Sequence, residues 1–456
     1  MSSGTELLVG LDVGTTNSKA VVYGVDGTAL AAGRAPTPWR TVTPSEGMTG
    51  RELDADELLD AARAAIAQAL ADAPEGRVMG LGVTSMAESG VLLDGRGRPA
   101  APVIAWHDTR DTDQVSRLDA EIGAEEFSAR TGLPFRSQWS LTKHRWQVDH
   151  DPAAARAVRR LNIAEWVLRG LGGDEASDVS LASRTGWLDL GAREWWAESL
   201  EWSGASSALL PSLVTSGTAL GRVPADVGME RLTGAVLTTA GQDHQAAALG
   251  ASAAGAGEQL DSCGTAEALV RTVAAGFSPA GVAQLTRQGI TVGWHVLADR
   301  WSLLGATQGG LALERLAALL GGGAAELDLA AAQATLGRVT VLVDETACVT
   351  VAGIRDGVGR GDVWLAALQA ITDQIGDVDR AMTAVVGPQT GTVAAGGWSR
   401  SATLMRLKQG AFGTVARSDI EEPGARGAAL LAGTAAGIPV PHLRVPDVGA
   451  VRLSGP

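Results

Sequence analysis

An α/β fold of two similar lobes with a cleft between them is what this sequence predicts, on three observations. Leu7 to Val25, LLVGLDVGTTNSKAVVYGV, sets two apolar, β-branched-rich runs around a Gly-Thr-Thr turn, the pattern of a hairpin. The other half repeats the phrase: Leu11-Asp12-Val13-Gly14-Thr15 is echoed by Leu260-Asp261-Ser262-Cys263-Gly264-Thr265, each followed by an apolar run, Ala20 to Val22 and Ala268 to Val270. Finally, Trp364, Leu368, Ile371, Ile375, Val378 and Met382 recur at steps of four and three, which predicts a core helix and not a cofactor box.

The remaining elements follow in order. Leu59, Ala62, Ile66 and Leu70 fall on one helical stripe within Leu53 to Leu70, and Val78 to Val83 and Val91 to Leu93 read as strands. Asn162 to Leu168 and Leu188 to Trp196, both bearing tryptophan, read as elaborations on the first lobe. Leu220 to Gly241 carries Gly and Pro and is the expected crossing between lobes, so that residues 1–245 form the first and 246–456 the second.

Composition bounds the function. The chain has 456 residues, 45% hydrophobic and 19% charged, enough for two or three domains and incompatible with disorder. Its 37 basic and 51 acidic residues give a net charge of −14, which argues against nucleic acid as a partner. Two cysteines, Cys263 and Cys348, build neither a disulfide framework nor a four-thiolate zinc site. There is no basic n-region at the start and no apolar run near the ~20 residues of a membrane span, so a cytoplasmic protein is expected. Only Lys19, Lys143 and Lys408 are lysines, and the absence of any Gly-Lys pair excludes a Walker A loop.

Four segments have the makings of a site. In Asp12 to Lys19, DVGTTNSK, a Gly-tipped turn exposes backbone N–H groups, Thr15 and Thr16 add hydroxyls, and Asp12 is placed to hold a hydrated cation. An ordinary polar hairpin turn is the alternative. Gly264-Thr265 would supply a second clamp from the opposite side. In Ala240-Gly241-Gln242-Asp243-His244-Gln245, followed by small apolar residues, a carboxylate in a first helical turn stays ionised and can accept a hydroxyl proton. A plain N-cap aspartate and a structural histidine are the alternatives there. Gly396-Gly397-Trp398-Ser399-Arg400-Ser401, between a strand and a helix, bares backbone to a flat ring or ribose. Gly357 to Gly361 lacks such a context and reads as a loop.

In this order the segments resemble the FGGY family of carbohydrate kinases, within the actin-like, hexokinase-like ATPase superfamily, whose lobes are ribonuclease H-like. DVGTTNSK is similar to the first phosphate motif, TAGQDHQAAALGA to the catalytic aspartate segment, DSCGTAEALV to the second phosphate motif and AAGGWSRSATLMRL to the adenosine motif. VTSMAESGVLLD and VIAWHDTR fall where the family contacts sugar. The resemblance implies ATP and Mg²⁺ as cofactors, with Asp243 as the base and Asp12 oriented toward the metal and phosphates. It implies phosphate contacts from Thr15, Thr16, Lys19, Gly264 and Thr265, an adenosine site bounded by Gly310, Gly397 and Ser401, and a sugar site lined by Glu88, Trp106 and His244. The substrate would be a ketopentose such as xylulose or a related sugar acid or polyol, and a homodimer is left open.

Two departures bear on this. Ala266-Glu267 stands where the family has Ser-Gly, bringing a carboxylate near the phosphates, and the family's Gly-Glu-Arg segment has no counterpart in Val341 to Arg360. In the sugar segment only Glu88 of Met86-Ala87-Glu88 matches a family pattern, that of glycerol kinases. An actin-like or chaperone-like ATPase without sugar substrate is the alternative, although it would call for a substrate domain after Val445. A catalytically silent sugar sensor is a further one.

Overall fold

In the computed structural model, which describes residues 5–43 and 48–439, each half of the chain builds a six-stranded sheet around its predicted hairpin. In the first, β1 (Glu6–Val13) pairs antiparallel with β2 (Asn17–Gly24), Asp12 opposite Lys19, and β2 pairs antiparallel with β3 (Ala29–Pro36). On its other side β1 runs parallel to β4 (Arg77–Ser85). Beyond β4 come β5 (Ala219–Arg222) at the edge and, between them, β6 (Val236–Gln242), parallel to β4 and antiparallel to β5.

The second half repeats this arrangement. β7 (Glu258–Cys263) pairs antiparallel with β8 (Glu267–Ala274), and the edge beyond β8 is built by β9 (Thr291–Trp294) and β10 (Arg300–Thr307), with β10 antiparallel to β8. On the other side β7 is parallel to β11 (Gly391–Ala395), and β11 to β12 (Val415–Arg417). The strings β3-β2-β1-β4-β6 and β10-β8-β7-β11-β12 therefore share order and direction. The sheets differ in the sixth strand, β5 lying outside β6 but β9 outside β10.

Helices cover these sheets as their apolar stripes dictate. In α1 (Ala55–Asp72) the stripe Leu59, Ala62, Ile66 and Leu70 is buried, and the Asp54 carboxylate accepts the N–H groups of Asp56 and Glu57 at the N-terminus. α2 (Ile163–Gly170) corrects an expectation: Asn162 to Leu168 is no appendage. Ile163, Ala164 and Val167 are fully buried in the cluster that contains Leu7 and Val9 of β1, and the Trp166 indole donates to the Ala55 carbonyl at 2.8 Å. Leu188 to Trp196 is an appendage as expected, a short hairpin whose flanking Trp187 and Trp196 pack with Phe127, Trp139 and Leu200. Leu220 to Gly241 is not the crossing between lobes. It supplies β5 and β6 of the first sheet, with Pro224, Gly228 and Gly234 in the loop between those strands and Gly221 and Gly241 within them.

The halves are joined instead by α3 (Asp243–Gly250), which leaves β6, and by α7 (Pro423–Ala435), which returns from the second sheet to pack on β1, β4 and β6. These helices cross so closely that a Cβ on Gly427 would collide with the Ala246 carbonyl. On the sheet side, Gly10, Gly80 and Gly82 face the α7 backbone at Ala425, Ala432 and Ala428, and a Cβ on Gly80 would lie 2.7 Å from the Ala432 oxygen. This explains much of the glycine and alanine content: Gly on the strand and Ala on the helix let backbones touch. Gly82→Ala is accordingly expected to lower stability by about 1–3 kcal/mol through overpacking, read as a lower urea midpoint with an unchanged m-value.

In the second half, α4 (Gly309–Leu320), α5 (Arg360–Val386) and α6 (Ala402–Phe412) pack around the sheet. On α5, Trp364, Leu368, Ile371, Ile375 and Met382 are buried, with Val378 at the margin. Among the described residues no helix is long and apolar enough to cross a membrane.

Candidate active site

Strands β1, β4 and β6 are parallel, and their C-terminal ends form the edge where open α/β sheets place ligands. Asp12 sits at the end of β1 and Asp243 immediately follows β6, one strand apart across β4, which sets their backbones about 10 Å apart. The N-cap of α3 is Gln242, whose side-chain oxygen accepts the Gln245 N–H at 3.2 Å. Asp243 is therefore released from capping. Its Oδ1 instead accepts the His244 N–H at 2.7 Å and Gln242 Nε2 at 2.6 Å, and lies 2.9 Å from His244 Nδ1. Oδ2 takes no part in these bonds. Burial pulls the His244 pKa down, but the charge and hydrogen bond of Asp243 more than offset it, and the imidazole titrates above its ordinary value.

Asp12 has the opposite character. Its Oδ1 is buried and has no hydrogen-bond partner among the described residues. Burial, and then the Asp243 charge, push its pKa up to about 7, with Lys19 pulling the other way. The first turn of α7 abuts it, since a Cβ on Gly424 would collide with Asp12 Oδ2. A hard, oxygen-seeking cation fits this orphaned carboxylate beside a second one.

Around the first turn, Thr15 Oγ1 accepts the Trp106 indole N–H at 2.9 Å and the Thr15 carbonyl that of Trp39 at 2.7 Å, while Thr16 is exposed. Trp106 is thereby brought against the Gly14-Thr15 turn. Lys19 pairs with Glu422 at 2.7 Å. Glu88, with φ at +66°, is held by Arg184 at 2.6 Å and Gln138 Nε2 at 3.2 Å. Such a backbone in a non-glycine residue is sustained only by surrounding contacts and concentrates at functional positions. Arg184 also donates to Thr291 Oγ1 of β9 at 2.7 Å, so one guanidinium links Glu88 to the second lobe.

On the second sheet, Ser262 lies opposite Ala395, which brings the Gly264-Thr265 turn and the Gly396-Gly397 loop to one edge. Gly396 has φ +97°, and a Cβ there would stand 2.7 Å from the Cys263 carbonyl, so glycine is required. Gly397 has open space beside it and lines a cavity of about 470 Å³ with Arg400, Arg417, Ser418 and Glu421. Ser401 is committed elsewhere: its hydroxyl donates to Asp328 at 2.5 Å and accepts the Leu404 N–H at the start of α6. Gly310 is buried, pressed on the Gly264 carbonyl, and the Leu311 N–H donates to the Thr265 carbonyl at 2.7 Å, docking α4 on the turn. The Thr265 side chain is exposed.

Glu267 stands at the base of the Gly264-Thr265 turn, opposite Cys263, where its side chain is buried and ion-paired with Lys408. Where the Gly-Glu-Arg segment was missed, a small hairpin, Thr340–Val343 with Val349–Ala352, takes its place. Sequence reasoning passed over Gln138, Arg184, Glu422 and Gly424. The signal for the last two was Glu421-Glu422-Pro423-Gly424 ahead of an Ala-rich run, an acidic helix entry with Pro and Gly in its first turn.

Duplicated sheets with carboxylates and glycine turns at their C-terminal edges define the class, a two-lobed actin-like ATPase fold. Residues 7–250 match the N-terminal domain of the FGGY family of carbohydrate kinases, and the chain belongs to that family. It is 31% identical over 462 residues to a glycerol kinase of Rhizorhabdus wittichii, covering 95% of this chain and 89% of the relative. With a xylulose kinase of Streptomyces coelicolor it shares 34% identity over 247 residues, 54% of this chain and 50% of the relative, so the match spans half the length of that enzyme. The crystal structure of a xylulose kinase from Rhodospirillum rubrum superposes with a TM-score of 0.81 at 27% identity, over 94% of this chain and 89% of that one.

Proposed function

We propose that this chain transfers the terminal phosphoryl group of ATP to a hydroxyl of a small sugar, a ketopentose such as xylulose or a related sugar acid or polyol. The observation that carries this reading is Asp243: one carboxylate oxygen fixed by neighbouring donors, the other uncommitted, on the same sheet edge as the unpartnered Asp12. Asp243 takes the proton of the acceptor hydroxyl as that oxygen attacks phosphorus, and ADP leaves. His244, whose charge Asp243 favours, holds the base in place. Thr15, Thr16, Gly264 and Thr265 present N–H and hydroxyl donors to the phosphates, and the cavity at Gly397 takes the adenosine, with Gly310 fixing the turn from behind. Lys19 reaches the phosphates by leaving Glu422. Asp12 would hold Mg²⁺, which when bound neutralises phosphate charge. Glu88, Trp106 and His244 line the acceptor side, and the boundary between lobes falls at 245/246, inside α3. A cytoplasmic setting accords with two unpaired cysteines.

The similarity to enzymes named xylulose kinase and glycerol kinase supports an acceptor of this size. The placement of Glu267 in the core removes one reason to read the chain as a silent sensor. The test is ADP release with Mg-ATP over a panel of ketoses, aldonates and polyols. Release that needs one acceptor supports the reading, whereas release independent of every acceptor overturns it in favour of a plain ATPase. Glu88→Gln is expected to raise the acceptor KM about tenfold, since a buried polar partner is lost, and to leave the MgADP Kd unchanged.

A further inference from the structure

All three lysines are ion-paired: Lys19 with Glu422, Lys143 with Asp111 at 3.5 Å, and Lys408 with both Asp261 and Glu267. The last group differs from the others in resting two buried carboxylates on one ammonium. The Lys408 and Asp261 side chains are 0% exposed and that of Glu267 is 3% exposed, with the Phe412 ring 5.8 Å from Nζ. One oxygen of each carboxylate, Asp261 Oδ1 and Glu267 Oε2, has no hydrogen-bond partner among the described residues, so both groups depend on the single ammonium. Such a cluster is a poor source of stability, because apolar residues of similar volume commonly serve as well or better.

Its location indicates what it does instead. Asp261 on β7 and Glu267 on β8 bracket the Gly264-Thr265 turn. Lys408 projects from α6, the helix entered through the Gly396 to Ser401 loop. Glu267 Oε2 also lies 3.0 Å from where a Cβ on Gly309 would stand, at the start of α4, whose Gly310 presses on the Gly264 carbonyl. The turn itself is Gly-Thr-Ala and has little side-chain volume with which to hold its own position.

We infer that Lys408, with Asp261 and Glu267, is a positioning cluster that ties the Gly264-Thr265 turn to the Gly396–Ser401 loop and to α4, fixing the span into which a nucleoside diphosphate or triphosphate fits. This inference rests on the kinase reading, which assigns those three segments to the nucleotide. None of the three charged groups touches the ligand; directional ion pairs set a spacing that apolar packing leaves loose.

The experiment is calorimetric titration of the full chain with MgADP, beside its melting temperature without ligand. The variant Asp261→Leu/Glu267→Leu/Lys408→Met is expected to melt at or above the parent and to bind MgADP about tenfold more weakly. Glu267→Gln, which keeps shape and a hydrogen bond to Lys408, is expected to bind within about threefold of the parent, and Glu267→Ala to fall well below it. Where the triple variant does not fold, the contrast between Glu267→Gln and Glu267→Ala carries the same test. MgADP binding by the triple variant, or by Glu267→Ala, within about twofold of the parent overturns the positioning role alone. A parent that binds no MgADP overturns the kinase reading, and this inference with it.

Discussion

Asp243→Asn is expected to lower acceptor-dependent ADP release by about 10³-fold, within the range that a positioned base contributes, while MgADP binding stays within about twofold of the parent. The amide keeps the shape of the carboxylate and can still accept the His244 and Gln242 donors at Oδ1. It cannot take the hydroxyl proton. The variant thus separates removing the base from damaging the site. Gln242 caps α3, so losing the Asp243 charge leaves the helix end satisfied and the fold unchanged. Acceptor-dependent turnover retained by Asp243→Asn would assign the proton to another group.

Asp12→Asn is expected to act on stability and activity in opposite directions. The Asp12 carboxyl is raised from 3.8 to about 7, so between those values the folded protein holds a proton that the unfolded chain has released. This group binds more protons in the folded state there, and its contribution to stability therefore falls as pH rises from about 4 through 7. Removing the group lifts that penalty: without ligand at pH 8, Asp12→Asn should be more stable than the parent by about 4 kcal/mol, with little difference at pH 4. The same substitution should abolish acceptor-dependent turnover and the stabilisation conferred by Mg-nucleotide. In the parent, a cation and a proton compete for one carboxylate, so Mg²⁺-dependent stabilisation should strengthen as pH rises through 7. Differential scanning calorimetry from pH 4 to 8, with and without MgADP, checks the stability predictions, and ADP release in the presence of acceptor checks the loss of turnover. A parent melting temperature that rises through this range without ligand, with the variant following it, would contradict the assignment.

The hairpin-and-turn phrase at Asp12 and its echo at Asp261 made the duplication legible, because strand alternation and a glycine turn are local signals. The stripes of α1 and α5 were equally legible. What escaped was set by contacts distant in sequence. Leu220 to Gly241 has the composition of a linker, yet β6 within it is fully buried, its place fixed by pairing with β4. Asn162 to Leu168 is short, and only its packing on α1 and β4 makes it core. Asp12 and Asp243 were readable as candidate site residues from their turns, but the α7 helix end that abuts Asp12 comes from Gly424, hundreds of residues away. Glu267 was legible beside the second turn, but its partner was not, because Lys408 comes from a helix in another part of the lobe.

Acceptor-dependent phosphoryl transfer itself is the most direct test of the central claim. Purified protein incubated with Mg-ATP and each candidate acceptor, followed by mass spectrometry of the small molecules, should yield a monophosphate of at least one sugar or polyol in a one-to-one ratio with ADP, and none with Asp243→Asn. ADP formed with no phosphorylated acceptor, at the same rate in parent and variant, would contradict it.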